Sequence, residues 1–452
     1  MATREMVTKP ERAQNTLVSS ATGSYIRPLA ILTTLFFLWG FLTSLNDILV
    51  PHLKSISDFD YTKVMLVQFA FFSAYFLFSV PWSKVVNKIG YQKTMVVGLV
   101  TMSLGALLFV PAASILSFPL LLTGLMILAA GITGLQVAAN PYVLVLGKPE
   151  TASSRLNLTQ AFNALGTTLA PTLGGMFILS AAPLAAEQLR QLSPQALHVY
   201  RMNQAASVKM PYIIISIALI LLAVAIARFK LPKIEHDAVS PGEKIKDSIW
   251  KHPNLLFGAL GIFAYVGAEV SIGSFMVNYL GQPEIAGFSP KIAAGYVSFY
   301  WGGAMVGRFI GAAVLQKVKT GRLLAVCAVC STTLVTFSML TSGHLAMWSM
   351  IGVGFFNSIM FPSIFALGVA ELGPLTASGS GLMNMAIVGG AIIPVLQGAI
   401  ADHNGIHHAF LLPVICYLYI LFYAVRGSMP NSKRYRNGLK NVGREMGHAF
   451  GR

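Results

Sequence analysis

The chain has 452 residues, of which 55% are hydrophobic and only 11% charged. Soluble globular proteins carry about 25% charged residues, so composition excludes a water-soluble fold and leaves an integral membrane protein. The net charge of +16 would point to nucleic acid in a soluble protein, but here the basic residues sit in tails and alternate loops, where membrane topology accounts for them.

Apolar runs of about 20 residues, enough to cross a bilayer, fall near 28–50, 62–86, 93–114, 117–147, 156–180 and 211–229. After a charged stretch they resume near 254–280, 291–316, 321–341, 345–370, 376–400 and 405–427. The expected fold is therefore all-α integral membrane, with twelve transmembrane helices and both termini on one side. Residues 1–27 read as an N-terminal tail, 28–230 as a six-helix half and 231–252 as a linker. Residues 253–427 read as the second half and 428–452 as a basic tail. The outer connection contains LSPQALHVYR, whose pattern predicts a short interfacial helix. The first 25 residues are polar with no apolar core, so no cleaved signal peptide is expected. All but six of the 32 Lys and Arg lie on the side of the termini, the exceptions being Lys54, Lys63, Arg190, Arg201, Lys209 and Lys291. By the positive-inside rule both termini are cytoplasmic.

The first span carries Asn46 and Asp47 before Pro51. A charge inside a membrane helix costs roughly 3 kcal/mol on insertion scales, so it faces a partner or a wet cavity. Thr43 and Ser44 share the face of Asp47 at i−4 and i−3. Contact with interfacial water is the plain alternative, but the polar face argues for a lumen. Span four offers Gln136 and Asn140 at i, i+4, and span five aligns Asn157, Gln160, Asn163 and Thr167. Amides donate and accept at once, as a polyhydroxylated solute requires; hydrogen bonding between helices is the competing use. Span seven holds Glu269 with Tyr265 one turn earlier, in a run whose glycines at 258, 261, 267 and 273 allow bending. An ionisable group away from bulk water is suited to carrying a proton. The second half adds Asn278, Asn357 and Asn384, with Tyr300, Trp301 and Phe361 as aromatic faces for sugar C–H groups. Lys84, Lys88, Arg155 and Arg308 lie towards the cytoplasmic helix ends. They read either as anchors or as a gate closing the halves by pairing with Glu371 or Glu150, and in neither case as substrate ligands.

The two halves repeat. NPYVLVLG around Pro141 matches FPSIFALG around Pro362; Gly166, Pro171 and Gly175 match Gly389, Pro394 and Gly398; Lys88 and Lys93 match Lys317 and Arg322. Parallel repeats about a linker are the architecture of the major facilitator type, with substrate held at the midplane between halves. Other chemistry is not expected. The nine histidines fall in loops or tails, Asp402, His403, His407 and His408 lack the partners of a metal site, and no phosphate-binding glycine loop occurs. Cys327, Cys330 and Cys416 lie in apolar runs and read as packing residues.

The runs FFLWGFLTSLNDILVPHL, GLQVAANPYV, SSRLNLTQAFNALGTTLAP and AYVGAEVSIGSFMVNYL resemble the fucose–galactose–glucose symporter family of the major facilitator superfamily, over most of Leu29–Arg426. The resemblance implies that Asp47 is the acid of the first helix used in coupling, and that Gln160 and Asn163 contact sugar. Gln136 stands where the family's L-fucose branch has Glu, and that branch lacks an acid matching Glu269, so the chain resembles the glucose/galactose branch, with its GLQVAANPY and GAEVSIGSF strings. KVVNKIGYQK resembles a degenerate form of the superfamily's gating motif, with Asn87 where Asp is usual.

The expectation is a multi-pass transporter of a cell inner membrane, not an enzyme, importing a neutral hexose in symport with a cation. Asp47 and Glu269 are expected to carry the proton, with sodium as the rival ion. Asn46, Gln136, Asn140, Gln160, Asn163, Tyr265, Asn278, Trp301, Asn357, Phe361 and Asn384 are expected to meet the substrate. No cofactor or bound metal is expected, and the partners are sugar and lipid, with no nucleic acid, for a monomer. Another sugar of the same family or export of amphipathic compounds are the alternatives.

Overall fold

The computed structural model describes residues 25–56, 61–115, 117–178, 192–232 and 248–429. Side chains at 43, 45–56, 61–68, 171–178, 194, 197–198, 201, 203–208 and 290 lie outside that description, as do the linker's central residues and the basic tail. The described chain is helical. The N-terminal half comprises α1 (Ile26–Ile56), α2 (Tyr61–Ile89), α3 (Tyr91–Ser114), α4 (Phe118–Val145), α5 (Ala152–Ile178) and α6 (Pro194–Arg228). The second comprises α7 (Pro253–Leu280), α8 (Pro290–Val314), α9 (Thr320–Leu340), α10 (Gly343–Gly368), α11 (Gly373–Asn404) and α12 (Ile406–Gly427). Among the described residues α2, α3, α4, α6, α7 and α9 to α12 are long and apolar enough to cross a membrane, while the described apolar part of α1 is Ile26–Leu42. The other two, α5 and α8, carry the polar and glycine-rich sequences that meet across the molecule.

Local signals set the helix starts. Ser117 accepts the Leu120 N–H at 3.5 Å and Ser193 accepts the Ala196 N–H at 3.2 Å, each followed by a proline in the first turn. Such residues satisfy amides that have no intrahelical acceptor. The Ser193 cap corrects one expectation: LSPQALHVYR does not form a separate interfacial helix. It opens α6, which continues through Pro211. The predicted single tenth helix is also interrupted, at Ser358 and Ile359, just ahead of Pro362.

The pairwise packing repeats with a step of six helices. In the first half α1 packs on α5, α3 on α4 and α6, and α2 on α4; in the second, α7 packs on α11, α9 on α10 and α12, and α8 on α10. The two halves meet chiefly where α2 faces α11 and α5 faces α8, contacts that the same relation exchanges. The repeated glycines have a shared cause. A side chain at Gly166 would run into the Phe37 carbonyl of α1, and one at Gly389 into the Phe263 carbonyl of α7. Both let two backbones approach beyond what any Cβ permits.

Candidate functional site

A cavity of about 180 Å³ lies between the halves. Its wall is formed on one side by Trp39 of α1, Gln136 of α4, and Gln160 and Asn163 of α5. The other side is Tyr265, Val266 and Glu269 of α7, Arg308 of α8, Phe361 and Pro362 of α10, and Ile387 of α11. It is smaller than the 300–1,000 Å³ of a site for drug-sized ligands, and suits a small solute.

The N-terminal side is built from amides, each held by one hydrogen bond. Gln136 Nε2 donates to the Tyr75 hydroxyl at 3.0 Å, Gln160 Nε2 to Asn140 Oδ1 at 3.3 Å, and Asn163 Nδ2 to the Phe36 carbonyl at 2.9 Å. Each amide keeps a carbonyl oxygen and a second N–H for the contents of the cavity. The opposite side carries charge. The Tyr265 hydroxyl donates to Glu269 Oε1 at 2.7 Å, and an Arg308 Nη lies 3.9 Å from the same oxygen.

The Arg308 side chain is held by a gap in α10. In a regular helix the Ser358 carbonyl would accept the N–H of residue 362, but Pro362 has none. Arg308 Nε donates to that carbonyl at 3.3 Å. Pro141 does the same for Val137, whose carbonyl accepts the Ser380 hydroxyl of α11 at 3.0 Å. Both prolines belong to the repeated NPYVLVLG and FPSIFALG segments, so the repeat supplies one acceptor in each half.

On the side of the termini the halves are joined by neutral hydrogen bonds. Ser154 donates to the Ala312 carbonyl at 2.6 Å and Asn157 Nδ2 to the Arg308 carbonyl at 2.9 Å. Thr320 donates to the Ser153 hydroxyl at 2.9 Å, and Asn87 Nδ2 lies 3.5 Å from the Ser378 hydroxyl. This corrects the expected charged gate. Arg155 bonds carbonyls of its own half, those of Val143, Leu144 and Lys148, together with the Thr151 hydroxyl. Lys84 and Lys88 are exposed, and no described ion pair joins any of these cations to Glu371 or Glu150.

Of the residues expected to meet substrate, Gln136, Gln160, Asn163, Tyr265, Phe361 and the proton-carrying candidate Glu269 share the wall. Asn140 stands behind it, bonded to Gln160. Asn357 is buried and donates to the Tyr300 hydroxyl at 2.9 Å, and Asn384 donates to the Ser380 carbonyl at 2.8 Å; neither is on the wall. Asn278 is exposed, and Trp301 is 42% exposed beside Gly273, both away from the cavity. Asn46 and Asp47 lie on α1, with side chains outside the described residues. Sequence reasoning misses Trp39 as a wall residue and assigns Arg308 elsewhere. Trp39 has a signal, since it precedes Asn46 by seven residues and so shares its helical face.

Two related six-helix halves enclosing a polar cavity define the architecture of a secondary transporter. The chain belongs to the Major Facilitator Superfamily, whose family model matches residues 31–387. It is 50% identical over 410 residues to a glucose/galactose transporter of Brucella abortus, covering 91% of this chain and 96% of that one. It is 34% identical over 408 residues to the L-fucose-proton symporter of Escherichia coli, covering 89% and 93%. The fold matches the crystal structure of the superfamily transporter FucP in the outward conformation, with a TM-score of 0.83 and 33% identity over 90% of this chain and 99% of that one.

Proposed function

We propose that this chain imports a neutral monosaccharide of the glucose, galactose or mannose type by symport with a cation, the proton being the coupling ion. The observation that carries the reading is the cavity wall, where three amides of one half face a carboxylate–guanidinium pair of the other. Hydroxyls of a sugar satisfy both kinds of group, while Trp39 and Phe361 offer apolar faces to its C–H groups. An amphipathic cargo would leave the remaining carbonyl oxygen and N–H of each amide unmatched. The names of the relatives agree with a sugar substrate.

Asp47 and Glu269 are the coupling carboxylates in this reading. Coupling requires that proton affinity differ between the two facing states, since otherwise a gradient biases nothing. The protein works in a cell inner membrane with both termini cytoplasmic, so the joined ends described above close the cytoplasmic side.

Proteoliposome uptake of labelled glucose and galactose, under separate proton and sodium gradients, tests the proposal. Accumulation should follow the proton gradient and collapse with a protonophore. Asp47→Asn and Glu269→Gln should lose accumulation while retaining exchange of sugar for sugar. Parent-level accumulation by both variants would overturn the coupling scheme, and absence of hexose uptake by the parent would overturn the substrate assignment.

A further inference from the structure

Glu269 and Arg308 sit on α7 and α8 of the same half, so rocking one half against the other does not in itself alter their separation. A coupled transporter needs its central site to differ between facing states. A contact that reaches this pair from the opposite half would supply the difference, and Asn157 makes one. Its Nδ2 donates to the Arg308 carbonyl at 2.9 Å, its residue is fully buried, and its Oδ1 has no partner among the described residues. Arg308 is flanked by Gly307 and Gly311, both set close against α10. Those glycines bring the segment against α10 of its own half, and the Asn157 bond ties the same segment to α5 of the other.

We infer that Asn157 is a positioning residue. It holds the Arg308 backbone while the halves are joined on the side of the termini, and so sets the guanidinium against Glu269 in that state. When α5 parts from α8 the bond breaks, and the guanidinium is left positioned only by the Ser358 carbonyl and Glu269 of its own half. The inference rests on the transport reading for its purpose, but part of its test does not. Ser154 provides the control, because its bond to the Ala312 carbonyl crosses the same interface one turn further along α8 without touching a wall residue.

The test uses the purified full chain in detergent. Phenylglyoxal modification of Arg308, followed by peptide mass spectrometry, is compared in the parent, Asn157→Ala and Ser154→Ala. Loss of the backbone hold should change the Arg308 rate about fivefold or more in Asn157→Ala, and less than about twofold in Ser154→Ala. Asn157→Ser keeps a hydroxyl on a shorter stem, should behave as Asn157→Ala, and supplies the comparison if the alanine variant does not fold. The pH profile of galactose binding should likewise shift in Asn157→Ala and not in Ser154→Ala. Equal changes in the Arg308 rate in both variants, or no change in either, would overturn the inference. A parent that binds no hexose counts against the transport reading, and the modification rates still decide the role of Asn157.

Discussion

Glu269 and Arg308 are 13% and 16% exposed, with charged atoms 3.9 Å apart. A nearly buried pair adds little net stability, because removing two charges from water offsets their attraction; breaking it is costly, because one charge is left without its counter-charge. Arg308→Met is therefore expected to lower stability by about 1–3 kcal/mol, less than for a pair fully removed from water. Adding Glu269→Gln should restore most of that loss without restoring transport. Thermal unfolding in detergent, read beside uptake, checks this; a double variant no more stable than Arg308→Met would mean that the pair is not electrostatically linked. The two residues differ in how far the sequence reveals them. Glu269 is legible because a carboxylate deep in an apolar run has few uses. Arg308 looks like an anchor beside a cytoplasmic loop, because the feature that brings it to the cavity is a carbonyl freed on α10, which nothing in the α8 sequence records.

At the scale of elements, proline and glycine carry the repeat. Pro141 and Pro362 free the carbonyls of Val137 and Ser358 for Ser380 and Arg308, and Pro171 frees that of Thr167, which accepts the Ser44 hydroxyl at 3.1 Å. Pro362→Ala would return an N–H to α10 that competes for the Ser358 carbonyl. We expect it to weaken sugar binding while leaving the unfolding midpoint unchanged or raised, since alanine favours the helix; a parent-like affinity would show that Arg308 needs no such anchor. The glycines act through contact. Gly166→Ala and Gly389→Ala each force a Cβ against a neighbouring backbone carbonyl, an overpacking that costs about 1–3 kcal/mol. Related positions should lose similar amounts in thermal unfolding, and an unaffected midpoint in either would argue against the shared cause. The spacing of these residues is visible in the sequence, but their meaning is not: a proline looks like a kink until the group that takes up the freed carbonyl is known. The length of α6 is hidden for a similar reason, because Pro211 reads as a helix boundary.

For the whole molecule, the two halves and their relation are legible from spans and repeats, whereas the surface on which they meet is not. Charge asymmetry draws attention to Lys84, Lys88, Arg155 and Arg308, yet the described closure uses hydroxyls and amides against backbone carbonyls and other hydroxyls, which composition does not distinguish from ordinary helix packing. Neutral bonds of this kind are not screened by salt, so the balance between facing states should vary little with ionic strength. They are also individually weak, about 0.5–1.5 kcal/mol net each, which lets the interface open and re-form during a cycle. A covalent bond in the same place removes that freedom. The hydroxyls of Ser153 and Thr320 are 2.9 Å apart across the interface, so Ser153→Cys with Thr320→Cys, in a chain lacking Cys327, Cys330 and Cys416, places two thiols within reach. Oxidation should stop transport, reductant should restore it, and sugar binding should persist throughout, because the cavity is already formed with these ends joined. Transport at the parent rate in the fully cross-linked protein would mean that the halves do not separate there, and that alternation of the cavity takes place by another motion.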